Sequence, residues 1–342
     1  MLGLTMKKAM GELALSQRIR AASSHRAASG LALGIGDDCA ILQPPRGHEI
    51  LVTTDFTLEN RHFRREWHPP ESVGHRALAR GLSDLAAMGA RPLAAFLSLA
   101  LPREMLATAS GRRWVDLFFS GLHSLAGSHR VPLAGGDTSE SPTGLVLADI
   151  VLVGCAPTGR SLRRSGGRAG NLLYVTGALG GAAAELNLLE TRKAGKRAKA
   201  TSTDAHPQLY PRPRIPVGQA LLRRHLATAA IDLSDGISTD LTHLCAESGV
   251  GAEISETALP IHPLAAKMPD QTLNLALHGG EDYELLFAAP ATVKMPAAIA
   301  GIPITRIGRL VRGSVITLVD SSGRRGRLTP GGWEHFSARP PR

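Results

Sequence analysis

Leu82-Ser83-Asp84-Leu85-Ala86-Ala87-Met88-Gly89-Ala90 closes the segment on which the reading of this chain turns. From Glu71 to Gly89, the positions Val73, Ala77, Gly81, Asp84 and Met88 recur at spacings of three and four, which puts them along one face of a helix. That places a carboxylate in an apolar stripe, where an unpaired charge is costly and needs a partner. The alternative is that Ser83 or Asp84 caps a new helical turn, a place both residue types favour. The pattern leaves both open. Apolar runs flank the helix. Glu49-Ile50-Leu51-Val52-Thr53-Thr54-Asp55 reads as a strand ending at an acid, and Leu93 to Leu101 reads as another that stops at Pro102.

Working outward, a short helix begins near Gly11, and Gly34-Ile35-Gly36-Asp37-Asp38-Cys39-Ala40-Ile41-Leu42 is a Gly-rich turn running into a strand. Downstream, 114–127 reads as a helix and 131–134 and 145–153 as strands. Residues 157–170 are rich in Gly, Arg and Ser, which sets a domain boundary there, with domains at 1–158 and 159–342. Beyond it come a strand at 172–176, a helix opened by Gly177-Ala178-Leu179-Gly180-Gly181, and a polar, basic insertion at 191–208. Helices follow at 215–226 and 237–248, then a strand at 284–288, then short strands and turns through Gly331-Gly332-Trp333. Helices and strands are mixed without strict alternation, so the fold class is α/β or α+β.

The 342 residues suit two domains of ordinary size, and the 37 Gly and 22 Pro suit many tight connections. No apolar run is long enough for a membrane helix, and the first ten residues lack the marks of a secretory signal. Cys39, Cys155 and Cys245 are scattered, with no Cys-x-x-Cys pair, which argues for a reducing compartment such as the cytoplasm. The formal charge of +10 raises nucleic acid as a partner. The basic residues crowd into 160–168, 192–199 and the tail, however, and aromatic content is only 4%. That fits a solvated surface with some phosphate binding better than a nucleic-acid module.

The chemistry-bearing signal is a set of aspartates beside Gly, Ser or Thr at the ends of apolar runs: Asp37-Asp38, Asp55, Asp84, Asp137, and Asp232 with Asp235. In Asp232-Leu233-Ser234-Asp235-Gly236, two acids three apart can face a metal ion, while Ser234 and the following helix N-terminus offer donors to phosphate. A plain helix cap with a tight turn explains the same residues. In Gly135-Gly136-Asp137-Thr138 the glycines let backbone approach a ligand, and Gly279-Gly280-Glu281-Asp282-Tyr283 looks similar. A β-turn accounts for either one alone. Several carboxylates brought together need cations, and Mg2+ takes oxygen ligands while bridging phosphates. There is no Walker loop and no kinase-type Gly-rich loop.

Taken in order, Gly34 to Ala40, Thr53-Thr54-Asp55, His62-Phe63, Leu82 to Ala90, Gly135 to Thr138, Asp232 to Gly236 and Gly279 to Leu285 resemble the thiamine-monophosphate kinase family, from about residue 10 onward. Each motif is weak alone, and the ordered set is specific. The resemblance implies the two-domain fold shared with aminoimidazole ribonucleotide synthetase, with N-terminal domains pairing into a homodimer through a β-barrel. It implies transfer of a phosphoryl group from ATP to thiamine monophosphate. It implies that Asp38, Thr54, Asp55, Asp84, Asp137, Asp232 and Asp235 are magnesium ligands, with Thr53 joining through its backbone or hydroxyl. Gly136, Asp137, Arg164 and Ser234 would contact ATP, and His62, Glu281 and Trp333 the thiamine side. Arg164, in Arg163-Arg164-Ser165-Gly166, suits phosphate, and Trp333 could stack on a flat cationic ring. Other ATP-dependent members of the superfamily are the nearest rivals. The early Cys–Lys pair of selenophosphate synthetases and the C-terminal Cys of the hydrogenase-maturation relatives are both absent from this sequence.

Overall fold

The structure is a computed structural model, and it describes residues 12–23, 30–191, 206–333 and 336. The basic run at 192–199, and most of the insertion read at 191–208, lie outside the described residues. The chain divides into two compact units. Among the described residues the first holds 12–81 and 92–155, and the second holds 82–91, 156–191 and 206 onward.

The first unit contains, in order, α1 (Glu12–Ser23), β1 (Leu31–Leu33), β2 (Ile41–Leu42), β3 (His48–Leu58), the larger part of α2 (Pro70–Ala87), β4 (Arg91–Leu101), α3 (Arg103–Ala107), α4 (Ala109–His129), β5 (Leu133–Glu140) and β6 (Leu147–Pro157). Its main sheet has the order β3-β6-β4-β5, with β4 and β5 parallel. No sheet closes into a barrel among the described residues. The Thr108 hydroxyl accepts from Gly111 N–H at the start of α4, and Arg130 ends that helix in the left-handed conformation, so both termini are satisfied. Helices α2 and α4 touch backbone to backbone. A Cβ on Gly74 would lie 1.8 Å from the Phe118 carbonyl, and one on Gly121 would lie 1.9 Å from that of Glu71.

The second unit contains β7 (Leu172–Thr176), α5 (Gly181–Thr191), α6 (Ile215–Arg223), β8 (Ala229–Asp232), α7 (Ile237–Ser248), β9 (Gly251–Ser255), α8 (Pro263–Ala266), α9 (Thr272–His278), β10 (Leu285–Ala289), β11 (Ala298–Ile299), β12 (Ile302–Val311), β13 (Ile316–Val319) and β14 (Arg325–Arg327). Its sheet runs β14-β13-β9-β12-β7-β10-β8, with β11 paired to β12. Among the described strands of this sheet only the β9–β13 pair is parallel. Strand β10 is buried along its whole length, and Leu286 sits opposite both Val175 and Ile231. A core of Leu173, Val175, Ile231, Leu241, Leu244, Ile254 and Leu286 forms around it. The chain is therefore mixed α/β, with both antiparallel and parallel pairing.

Two sequence readings change here. The tail is not only short strands and turns, because β12 is ten residues long. Arg306 and Gly308 break its apolar alternation at a bulge against β7, which hides the strand from a period-two search. Helix α2, in turn, is buried almost all round from Ser72 to Ala79 and not along one stripe. Its less covered positions are Arg80, Asp84 and Met88, four apart. Asp84 therefore marks the open side of the helix and not an apolar seam. Among the described residues no helix is long and apolar enough to cross a membrane.

Candidate functional site

In the first unit, β3 alternates as a half-buried strand must. Leu51 and Thr57 are buried and Thr53 and Asp55 half-buried, while Ile50, Val52, Thr54 and Phe56 face out. Thr53 and Asp55 thus share the face packed toward α2, where the Thr53 methyl lies 3.4 Å from the Cβ position of Gly81. The Asp55 carboxylate lies 3.6 Å from the Arg80 guanidinium of that helix. The Thr54 hydroxyl points the other way and donates to Asp149 at 2.9 Å. Asp38 and Asp137 are exposed. In each Asp37-Asp38 and Asp137-Thr138 step, the first carboxylate accepts the next N–H at 2.9 Å. His62 accepts the Leu58 N–H at Nδ1, 3.0 Å away, leaving Nε2 as the donor of the neutral ring.

Gly135-Gly136-Asp137-Thr138 does not form a loop after a strand, as the sequence suggested. It lies inside β5, with Gly136 opposite Leu97 and Asp137 opposite Ser98. Gly136 has φ +145, and a Cβ there would lie 1.9 Å from the Leu97 carbonyl. The close approach that demands glycine is therefore to the neighbouring strand, and Asp137 is carried outward as a strand residue.

In the second unit the last turns of α2 settle the question left open at Ser83 and Asp84. The helix runs through both without a break, so neither caps a new turn. The buried Ser83 hydroxyl donates to Asp232 Oδ2 at 2.8 Å, giving a buried carboxylate a charge-assisted bond. Asp232 ends β8, and the turn after it is held by main-chain bonds to the Gly279–Glu284 segment. Glu281 N–H donates to the Ser234 carbonyl at 2.8 Å, Tyr283 N–H to Leu233 at 2.9 Å, and Leu233 N–H to Glu284 at 2.8 Å. The two acid-bearing motifs are thus one structure.

Helix α7 opens beyond this turn, and here the sequence reading is corrected. The N–H groups of Asp235 and Gly236, expected to face phosphate, both donate to Asp240 Oδ2 at 3.1 Å. Asp240 is 2% exposed. Burial, with the charges of Asp232 and Asp235 adding to it, pushes its carboxyl up to about 8. Across the same turn lies the C-terminal segment. Trp333 N–H donates to the Asp235 carbonyl at 3.1 Å, Gly332 N–H to the Thr239 hydroxyl and Gly331 N–H to the Ser238 hydroxyl, each at 3.2 Å. Trp333, 40% exposed, is held beside Asp235 and is not packed away as a tail residue. Arg164 is exposed on a single 3-10 turn, Arg164–Gly166, whose main chain is pinned by Ser248 Oγ donating to the Arg164 carbonyl at 2.6 Å.

Among the described residues no three His, Cys, Asp or Glu side chains stand close enough together to hold a metal ion. The donors present are carboxylates and hydroxyls, which suit a hard cation. Mg2+ is commonly held by one or two carboxylates completed by phosphate oxygens and water, so this donor set fits an ion that arrives with a phosphate ligand.

Residues 36–156 match the family described as AIR synthase related protein, N-terminal domain, and 168–321 match the corresponding C-terminal domain. The thiamine-monophosphate kinase of Escherichia coli strain K12 is 38% identical over 311 residues, 89% of this chain and 92% of that one. The chain belongs to the thiamine-monophosphate kinase family. A crystal structure of thiamine-monophosphate kinase from Stenotrophomonas maltophilia K279a superposes with a TM-score of 0.79 at 35% identity, covering 93% of this chain and 99% of that one. AaThiL complexed with AMPPCP and TMP gives 0.73 at 29% identity, covering 98% and 100%.

The structure of this family member also shows acids that sequence reasoning missed. Asp282 accepts N–H bonds from Gly180 at 2.6 Å and Ala182 at 3.0 Å, capping α5 from outside, and burial pushes it up to about 7. Glu284 is gripped by Arg214 through two guanidinium nitrogens and by the Thr176 hydroxyl at 2.5 Å. Glu185 accepts from His206 at 2.6 Å and from Gln208 N–H at 2.8 Å. Glu281, already singled out in the sequence, has φ +68 and accepts from Gln208 Nε2 at 2.9 Å. Asp282 and Glu284 stood inside a quoted motif, so their signal was present. Glu185 and Asp240 sit on helices without a flanking glycine, and only the fold reveals them.

Proposed function

We propose that this chain phosphorylates thiamine monophosphate with ATP, giving thiamine diphosphate and ADP. The observation that carries the reading is the joining of Asp232–Gly236, Gly279–Glu284 and Trp333 into one hydrogen-bonded turn, in a chain 38% identical to a thiamine-monophosphate kinase over 311 residues. The segments so joined carry carboxylates that suit cations, a serine that suits phosphate and an aromatic ring that suits a flat cation.

In this reading Asp38, Thr53, Thr54, Asp55, Asp84, Asp137, Asp232 and Asp235 are magnesium ligands. Thr54 would serve through its carbonyl, because its hydroxyl is engaged by Asp149. Gly136, Asp137, Arg164 and Ser234 hold ATP, and His62, Glu281 and Trp333 hold the thiamine side. Bound Mg2+ supplies charge neutralisation of both phosphate chains. A terminal phosphate oxygen of thiamine monophosphate attacks the γ-phosphorus in line, and the bond from that phosphorus to the bridging oxygen of ADP breaks. The nucleophile is already ionised near neutral pH, so no side chain acts as general base and no phosphoenzyme forms. Residues 1–158 serve ATP, magnesium and dimerisation, and 159–342 complete the nucleotide and substrate sites.

The apolar outer face of β3, with Val52 63% and Phe56 60% exposed, supports pairing of two N-terminal domains into a homodimer. Three cysteines scattered along the sequence, with no Cys-x-x-Cys pair, support a cytoplasmic setting. No nucleic-acid or membrane partner enters the reading.

The test is incubation with ATP, Mg2+ and thiamine monophosphate, followed for thiamine diphosphate and ADP. Asp55→Asn and Asp84→Asn are expected to abolish turnover with the fold kept. Near-normal activity in both variants would overturn the shared-metal assignment, and absence of product from the parent protein would overturn the reaction.

A further inference from the structure

We infer that a basic cleft in the second unit, lined by the residues on either side of Arg164, binds a small phosphate-bearing organic anion other than ATP. The cleft has a volume of about 360 Å³ and lies between the Gly159–Gly166 segment and the connection from α6 to β8. Arg160, Arg163 and His225 line it, and no acidic residue does. The Arg160 guanidinium sits 2.9 Å from the nitrogens of the His225 ring. Among the described residues neither arginine has a carboxylate within ion-pair distance, nor does His225. Arg214 and Arg309, by contrast, are each paired with a glutamate. Crowding a guanidinium against an imidazole with no anion is an arrangement that a phosphate group completes, since guanidinium forks match phosphate oxygens and the ring can donate a further hydrogen bond.

The walls are set in advance. Arg160 N–H donates to Pro157, Leu162 N–H to Met88, and Ala230 N–H to Arg163, all at 2.9–3.1 Å. His225 follows α6 with φ +53, a left-handed conformation held by its N–H bond to the Leu222 carbonyl at 3.2 Å. The preorganisation lowers the ordering penalty on binding. The buried side chains of Leu162 and Leu222 form an apolar wall beside the basic rim. A volume near the lower end of ligand pockets suits one or two phosphates on a small apolar group and not a nucleoside triphosphate. The inference does not depend on the reaction assigned above.

The test is calorimetric titration of the full chain with inorganic phosphate, pyrophosphate and phenyl phosphate, each with and without saturating AMPPCP and thiamine monophosphate. Saturable binding near one per chain that persists under saturation is expected, with phenyl phosphate bound more tightly than inorganic phosphate. Equal binding of the two would still support the anion site but assign it to free phosphate. Arg160→Gln and His225→Gln should each weaken binding about tenfold, with the KM values for ATP and thiamine monophosphate unchanged. Loss of binding when AMPPCP is present would overturn the inference by placing the anion in the ATP site. Absence of saturable binding, or equal binding by both variants, would overturn it as well.

Discussion

Asp240→Ala should loosen the turn that carries Asp232 and Asp235. One oxygen of Asp240 accepts the N–H groups of Asp235 and Gly236, both at 3.1 Å. Alanine removes this shared acceptor, and α7 has no side-chain cap at its start to replace it. An unsatisfied buried N–H costs about 1–3 kcal/mol, and the Asp235 group is only partly buried, so the expected loss is about 2–4 kcal/mol. Asp240→Asn is the control. Both bonds converge on a single oxygen, which an asparagine carbonyl can supply, so this variant should stay within about 1 kcal/mol of the parent. Urea unfolding at neutral pH in EDTA would measure stability, and a Mg2+ titration of activity would measure the site. Asp240→Ala should need more Mg2+ for half-maximal rate, because the loop bearing two of the proposed ligands has lost its clamp. An alanine variant as stable as the parent, with the same Mg2+ requirement, would refute the clamp. An asparagine variant as impaired as alanine would show that charge matters and not the acceptor.

Gly136→Ala should reduce folded yield and stability, by about 2–5 kcal/mol, before any effect on ATP affinity, because the methyl would meet the Leu97 carbonyl at 1.9 Å. Thermal unfolding with and without an ATP analogue checks this. Asp282 has a folded value of about 7 against an ordinary 3.8. The stability it contributes is complete below about pH 4 and is lost as pH rises through 7, at no more than about 1.4 kcal/mol per unit. Urea midpoints from pH 4 to 8 should therefore fall more steeply for the parent than for Asp282→Asn, and parallel profiles would contradict this. Trp333→Ala should raise the KM for thiamine monophosphate about tenfold while leaving that for ATP nearly unchanged, since Trp333 meets the rest of the turn through its main chain. Steady-state kinetics with each substrate varied would show it.

What the sequence revealed depended on whether the cause was local. Strand β3 was legible because β-branched residues fill it, and α2 because its composition and spacing favour a helix over 70–87. The orientation of α2 was not legible. Apolar residues occupy nearly all its sides, so the three-four pattern picked out a stripe that is no more buried than the rest, and the open strip at Arg80, Asp84 and Met88 came from what packs on it. The same limit hid β12, whose alternation a bulge interrupts. Glycines misled at Gly135-Gly136, because a glycine needed by a neighbouring strand and one needed by a ligand look identical in sequence. Asp240 was invisible for a related reason. Its acceptor role is defined by two amides that lie just before the helix, and an acid in a first turn reads as a solvated residue facing the helix dipole.

The hydrogen bonds of the second unit also explain why motifs that are weak singly become specific as a set. The turn after Asp232 cannot satisfy its own main chain. Leu233 N–H needs the Glu284 carbonyl, the Leu233 and Ser234 carbonyls receive Tyr283 and Glu281, and the Asp235 carbonyl receives Trp333. Buried backbone groups must be paired, so each motif supplies part of the accounting of the next. Glu281 and Tyr283 adopt positive φ values of 68 and 50 to reach their partners, a strained conformation for such side chains that only the surrounding bonds can hold. A protein that kept Asp-Leu-Ser-Asp-Gly but lost Gly-Gly-Glu-Asp-Tyr-Glu would leave the first turn with unpaired amides and carbonyls. The three segments therefore stand or fall together. Their joint presence in order carries structural information that none holds alone, and the side chains they present gain a fixed geometry from bonds in which those side chains take no part.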